Sequence, residues 1–149
     1  MRLLIQRVSQ AKVSIASEIV GRIETGMLMM VGVGRQDSKS EAEWLANKCA
    51  GLRIFQDEYG KTNLSLLDVG GAALVISQFT LYADTSRGRR PSFINAELPE
   101  KAEYLVQHFA DALTRCGVSV NHGRFGEDMQ VGLVNDGPMT IWINRDPVS

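Results

Sequence analysis

Long apolar runs are missing from this chain, and with them any segment of the length a membrane helix needs. The opening stretch Met1 to Val8 alternates apolar residues with Arg2, Gln6 and Arg7 and does not read as a signal peptide, so no membrane contact and a cytoplasmic location are expected. Cysteine is scarce. Cys49 and Cys116 lie far apart, outside any Cys-x-x-Cys spacing and on the apolar sides of expected helices, which points to small buried hydrophobes rather than a disulfide framework. Histidine is as sparse: His108 falls inside an expected helix and His122 beside a strand end. Neither has a ligand partner at metal spacing, so no metal is expected, and neither sits in a recognisable Ser-His-Asp motif. Charge of one sign is lacking too, since 16 bases against 17 acids leave −1. Bulk charge therefore does not hold nucleic acid, and any RNA contact has to be local. Gly32-Val33-Gly34 lacks the rest of a dinucleotide fingerprint and reads as strand punctuation, so no cofactor is expected.

What is present fits one domain spanning residues 1–149, with 44% hydrophobic residues to build its core. Strands are expected at Met1 to Val8, Lys12 to Ala16, a short Gly-Arg-Ile-Glu segment opened by Gly21, and Met27 to Val33. That last run is apolar throughout and reads as a central strand buried on both faces. Ser40-x-x-Glu43 suggests a capping box for a first helix carrying Leu45, Cys49 and Leu52. Arg53 to Phe55 and Ala72 to Ser77 resume the strands. A second helix opens at Pro99, buries Ala102, Leu105, Phe109, Ala112 and Cys116, and closes at Gly117. Strands at Val118 to Asn121, Met129 to Val134 and Met139 to Ile143 follow. Many strands and two main helices that do not alternate regularly imply an α+β domain with a strongly curved, barrel-like sheet.

Two segments stand out. In Ser77-Gln78-Phe79-Thr80-Leu81 a buried strand runs into polar groups; as structure alone it is a strand turning amphipathic. Asn135-Asp136-Gly137-Pro138-Met139-Thr140 has the composition of an ordinary turn. Between them, Asp84 to Pro91 is a polar loop with Arg87, Arg89 and Arg90, and three such arginines are more often solvated than bound.

Taken together, the two segments resemble the signature pair of the D-aminoacyl-tRNA deacylases. The resemblance covers the whole chain through the opening Met-Arg-x-x-x-Gln-Arg-Val, Leu52-Arg53-Ile54-Phe55, Asn63-Leu64-Ser65-Leu66, Arg90-Pro91-Ser92-Phe93 and Gly123-Arg124-Phe125-Gly126-x-Asp128-Met129. Met139 stands where Val is usual and Glu127 where a small residue is common; both are expected to lie outside the contact atoms. The resemblance implies a barrel-like α+β homodimer with active sites at the subunit interface. It implies that Ser77, Gln78, Phe79 and Thr80 line the pocket of their own subunit. It also implies that a cis Gly137-Pro138 bond carries its carbonyls into the partner's pocket, with Arg7 anchoring that loop. Phe125 and Met129 match the positions that sandwich the terminal adenine, though core packing explains Met129 equally well.

The substrate implied is D-aminoacyl-tRNA, whose ester is hydrolysed. That chemistry needs a place for a developing oxyanion, and backbone N–H groups at Phe79 and Thr80 can provide it where strand pairing ends. Ser77 and Gln78 can bind the terminal ribose or the amino group. Thr80 is a nucleophile in principle, but no general base is visible beside it, which favours positioning, with the terminal 2′-hydroxyl of the RNA assisting attack. Fixed carbonyls facing the α-carbon would leave an L side chain to clash and accept D residues and glycine, so glycyl-tRNA is an expected second substrate. Two rivals remain: a non-catalytic RNA-binding module, separated by a deacylation assay, and an esterase of small metabolites, which would cleave a free amino-acid ester as fast as charged tRNA.

Overall fold

The computed structural model describes residues 1–148. Eight strands and three helices follow one another as β1 (Arg2–Ile15), β2 (Glu18–Ile23), β3 (Gly26–Gly32), α1 (Lys39–Gly51), β4 (Phe55–Gln56), β5 (Thr62–Leu64), α2 (Leu66–Val69), β6 (Ala72–Ser77), α3 (Pro99–Arg115), β7 (Ser119–His122) and β8 (Gln130–Asn144), with a 3-10 turn, Phe79–Tyr82, after β6. The single long β1 replaces the two expected strands, because pairing continues through Ser9 and Gln10 by means of register shifts against β8. It serves as a spine. Along one edge it pairs first with β3 and then with β2, and along the other with β8, all antiparallel. β8 likewise merges the two last expected strands into one.

β3 pairs in parallel with β6, and β6 with β7. The far strands β7 and β2 then approach each other, and the Asn121 amide donates to Arg22 O at 3.0 Å. The result is a nearly closed barrel of mixed sheet. Its alternating side chains fill two cores. Val8, Val13, Leu28, Leu74 and Ile76 point into the barrel, while Leu3, Ile5, Met27, Met29 and Val75 face outward beneath α1 and α3. β3 and β6 are therefore buried on both faces, as their unbroken apolar runs suggest. Leu45 and Cys49 of α1 and Leu105 and Phe109 of α3 close the outer core. A fully buried side chain such as Phe109 contributes about 1.5–3 kcal/mol. Burial pushes the Cys49 thiol up to about 12, so it packs as an inert hydrophobe.

Local expectations shift in two places. The capping box of α1 is Ser38 with Glu41, two residues before the expected pair, and the Ser38 N–H donates to Glu41 Oε2 at 2.8 Å. Glu43 points instead to His108 of α3, at 2.8 Å. β2 begins at Glu18 rather than Gly21, because Ala16 and Ser17 take positive φ values of 48° and 69° and form the hairpin turn without the usual glycine or asparagine.

Candidate active site

β6 ends where its polar residues begin. Ser77 pairs with Val31 of β3, and the Gln78 N–H makes the last rung, donating to Val31 O at 2.8 Å. The chain then turns into the 3-10 segment. Within it the Leu81 N–H donates to Gln78 O at 3.3 Å and the Ala83 N–H to Thr80 O at 3.0 Å. The N–H groups of Phe79 and Thr80, at the start of the turn, have no acceptor among the described residues. This is the ordinary consequence of leaving a strand and starting a helical turn.

The turn is pinned from below. A Cβ at Gly34 would lie 2.6 Å from Tyr82 Oη, and one at Gly32 would lie 3.0 Å from Gln78 O, so the two glycines let the turn settle on the end of β3. They are not mere punctuation. The Tyr82 hydroxyl donates to Asp37 Oδ2 at 3.3 Å, and burial, reinforced by that carboxylate, raises its pKa. Asp37 also accepts the Gly34 N–H at 2.6 Å and the buried Met1 ammonium at 2.7 Å. Arg2 donates to Leu81 O at 2.9 Å and stacks over the Tyr82 ring at 4.3 Å. Side chains remote from the cavity thereby fix the two free N–H groups in place.

A cavity of about 640 Å³ opens beside the turn and is lined by Ser77, Gln78, Phe79, Phe125 and Met129, five of the nine residues singled out in the sequence. Phe125 packs its other side on the outer core and Met129 on the barrel interior, so Met129 both borders the cavity and packs. Thr80 does not line the cavity; its hydroxyl accepts a hydrogen bond from the Gln78 amide. No histidine attends it, since His108 is engaged with Glu43 and His122 lies in a second, adjoining cavity of about 310 Å³.

The segment before α3 supplies wall residues that the sequence did not reveal. Phe93 meets Phe79 edge to face at 5.1 Å, and Glu97 and Leu98 also line the cavity. Lys101 beside Glu97, at 2.8 Å, together with the Leu98 N–H, holds the Glu97 carboxyl below the usual range. Only the i,i+4 spacing of Glu97 and Lys101 could have hinted at it. Glu127, expected outside the contact surface, lines both cavities.

Arg7, Gly137 and Pro138 lie elsewhere. Residues 136–139 leave the β1–β8 ladder between Asn135 and Thr140. Arg7, only 3% exposed, donates from Nε to Asp136 O at 3.0 Å, pairs with the Asp136 carboxylate at 3.3 Å, and also donates to Ile54 O. The Asn135 amide bonds Arg7 O and Met139 O at 2.9 and 3.1 Å. Gly137, at φ +97°, lies against the guanidinium. The loop is exposed and does not line its own chain's cavity. One expectation is corrected: the Gly137-Pro138 bond is trans, as are all peptide bonds described. Trans is favoured by about 0.5–1 kcal/mol before proline, and the contacts made within one chain leave that preference in force.

Among the described residues no group of three or more His, Cys, Asp or Glu is placed to hold a metal ion, and no helix is long and apolar enough to cross a membrane. A family model described as D-Tyr-tRNA(Tyr) deacylase matches residues 4–144. A D-aminoacyl-tRNA deacylase of Thermomicrobium roseum is 58% identical over 97% of this chain and 94% of its own, and one of Thermotoga petrophila is 51% identical over 97% of each. The solved structure of the c-Myc DNA unwinding element binding protein superposes with a TM-score of 0.91 at 34% identity, covering 99% of this chain and 100% of the other.

Proposed function

The chain belongs to the D-Tyr-tRNA(Tyr) deacylase family and is a hydrolase of D-aminoacyl-tRNA; on that premise we propose how its site does the work. The observation that carries the reading is the pair of free N–H groups at Phe79 and Thr80, held rigidly beside a cavity of about 640 Å³. The terminal adenosine occupies the cavity with its base between Phe125 and Met129, and Ser77 and Gln78 hold the ribose or the amino group. Water attacks the ester carbonyl, the two N–H groups take up the negative charge on the carbonyl oxygen, and the bond to the ribose oxygen breaks as that oxygen regains a proton. Preorganised donors of this kind are worth about 2.7–4 kcal/mol each. Thr80, without a base, has a positioning role through the Gln78 amide it accepts from, while the terminal 2′-hydroxyl assists the attack.

Handedness is read by a second copy of the chain. The Gly137-Pro138 loop stands out from the sheet, is locked by Arg7 and Asn135, and takes no part in its own cavity, as suits an element that completes a neighbour's site in a C2 dimer. Its carbonyls face the α-carbon and leave no room for an L side chain, whereas D residues and glycine fit, which makes glycyl-tRNA a second substrate. A trans bond serves this account, because the Arg7 clamp rather than the isomer fixes the carbonyls. The work belongs in the cytoplasm, where charged tRNA is used.

Matched D- and L-aminoacyl-tRNA, offered to the purified protein, test the proposal. Rapid release from the D ester alone is expected, together with a dimer of about twice 16.4 kDa by light scattering. Equal rates on both esters, or an active monomer, would overturn it. Binding without hydrolysis would favour an RNA-binding module.

A further inference from the structure

The second cavity, of about 310 Å³, shares Ser77, Val106, Phe125 and Glu127 with the first as a common wall. Beyond that wall its chemistry changes. Glu103 and Gln107, one turn apart on α3, line it together with Arg124 from the loop after β7 and with His122 and Gly123. Gln107 spends one of its two amide N–H groups on Asp111 at 2.8 Å, and its carbonyl oxygen is free to accept. Among the described residues Glu103, Arg124 and Glu127 form no ion pair. The cavity thus offers two carboxylates and an amide oxygen as acceptors, with the Arg124 guanidinium as its one permanently charged donor.

Two carboxylates against a single cation repel a phosphate, so the occupant is not the RNA backbone. The set matches a planar group with an exocyclic amine flanked by acceptors. We propose that this cavity holds the base of the nucleotide before the terminal adenosine, a cytosine in the C-C-A end of tRNA. Its N4 amine gives one hydrogen to a glutamate carboxylate and the other to Gln107 Oε1, and its N3 and O2 accept from Arg124. Carboxylates recognise cytosine through N4 in this way, whereas uracil presents an oxygen at the same position and is repelled. The shared wall makes the placement sterically natural, since consecutive nucleotides would occupy adjoining cavities with Phe125 between the bases. The inference rests on the terminal adenosine occupying the first cavity.

Binding tests it separately from catalysis. Stable 3′-amide analogues, D-alanylamido-adenosine and the same unit preceded by cytidine or by uridine, are titrated calorimetrically against the wild-type protein and the Arg124→Ala and Gln107→Ala variants, whose folding is checked by thermal melting. Neither residue lines the first cavity. The cytidine compound should bind about tenfold more tightly than the other two, a difference of the size one base contact gives. Both variants should lose most of that advantage while holding the adenosine analogue as the wild type does. Equal affinity for the cytidine and uridine compounds would overturn the base assignment. Variants that weaken the plain adenosine analogue to the same degree would reassign the cavity to the aminoacyl group. If none of the compounds binds, the adenosine site itself is misplaced and both readings fall. If they bind with the expected order but no D ester is cleaved, only the hydrolytic reading fails.

Discussion

Replacing Gly137 with alanine tests the clamp that holds the protruding loop. Two costs add. At φ +97° an L side chain sits in a backbone region that costs on the order of 1–3 kcal/mol. The new Cβ would also lie 2.0 Å from Arg7 Nη2. Arg7 has nowhere to retreat: it is 3% exposed and bonded to Asp136 O and Ile54 O. Displacing it forfeits charge-assisted hydrogen bonds worth about 1.5–3 kcal/mol each. With one of those bonds lost the sum is about 2.5–6 kcal/mol, or a fall of roughly 10 °C or more in melting temperature for a chain of this size. Gly88 supplies the control, since it has φ +74° and nothing within 4 Å of an added Cβ. Gly88→Ala should cost only the backbone term, about 1–2 kcal/mol. Urea unfolding of both variants, read by circular dichroism, isolates the steric part, and in an Arg7→Ala background the excess at Gly137 should vanish. Equal losses for the two glycine variants would mean that Arg7 does not hold the loop as described.

Three other perturbations address the site and its supports. Asp37→Ala strands the buried Met1 ammonium and releases Gly34 and Tyr82, and should cost about 3–5 kcal/mol in urea unfolding; a loss below about 1 kcal/mol would contradict the network. Burial tends to raise the Glu41 pKa, but the hydrogen bonds from Ser38 outweigh it and hold the group below its ordinary 4.5. A depressed folded pKa gives stability that is present above 4.5 and lost as pH falls through the folded value, so Glu41→Gln should flatten the acid limb of a melting-temperature profile; an unchanged slope would rule Glu41 out as a contributor. Thr80→Ala preserves both backbone N–H groups and should keep most of the deacylation rate, whereas a substrate ending in 2′-deoxyadenosine should be cleaved far more slowly; an acyl adduct on Thr80 seen by mass spectrometry would reverse that assignment.

Strongly periodic segments declared themselves in the sequence. The apolar runs of β3 and β6 read as strands buried on both faces, and the stripe of Ala102, Leu105 and Phe109 marks α3. Continuity was harder to read. Polar Ser9 and Gln10 look like a break, yet β1 runs through them because β8 follows it through its register shifts. The start of α1 was ambiguous for a local reason: Ser38 and Ser40 each precede a glutamate by three residues, and only packing decides which pair closes. In the site, Ser77, Gln78, Phe79, Phe125 and Met129 were recognisable from their motifs. Glu97 stood in no motif, and Phe93 stood in one with no role attached, because their place arises when the irregular segment before α3 folds back over the cavity. The isomer at Gly137-Pro138 illustrates a different limit, since the residues are compatible with either form.

The excursion at Asp136 to Met139 has a consequence unrelated to catalysis. Among the described strands β8 pairs with β1 alone, so its other side is an open rim fifteen residues long. Uninterrupted rims of that kind recruit foreign strands and seed aggregates. Here the ladder breaks after Asn135 and resumes at Thr140, and Pro138 brings no N–H to offer an incoming strand. What remains is two short stretches, 130–135 and 140–144, set apart by a kinked, charged interruption. The same four residues therefore break what would otherwise be a continuous edge, and smoothing them into regular strand is expected to make the rim a better template for foreign strands.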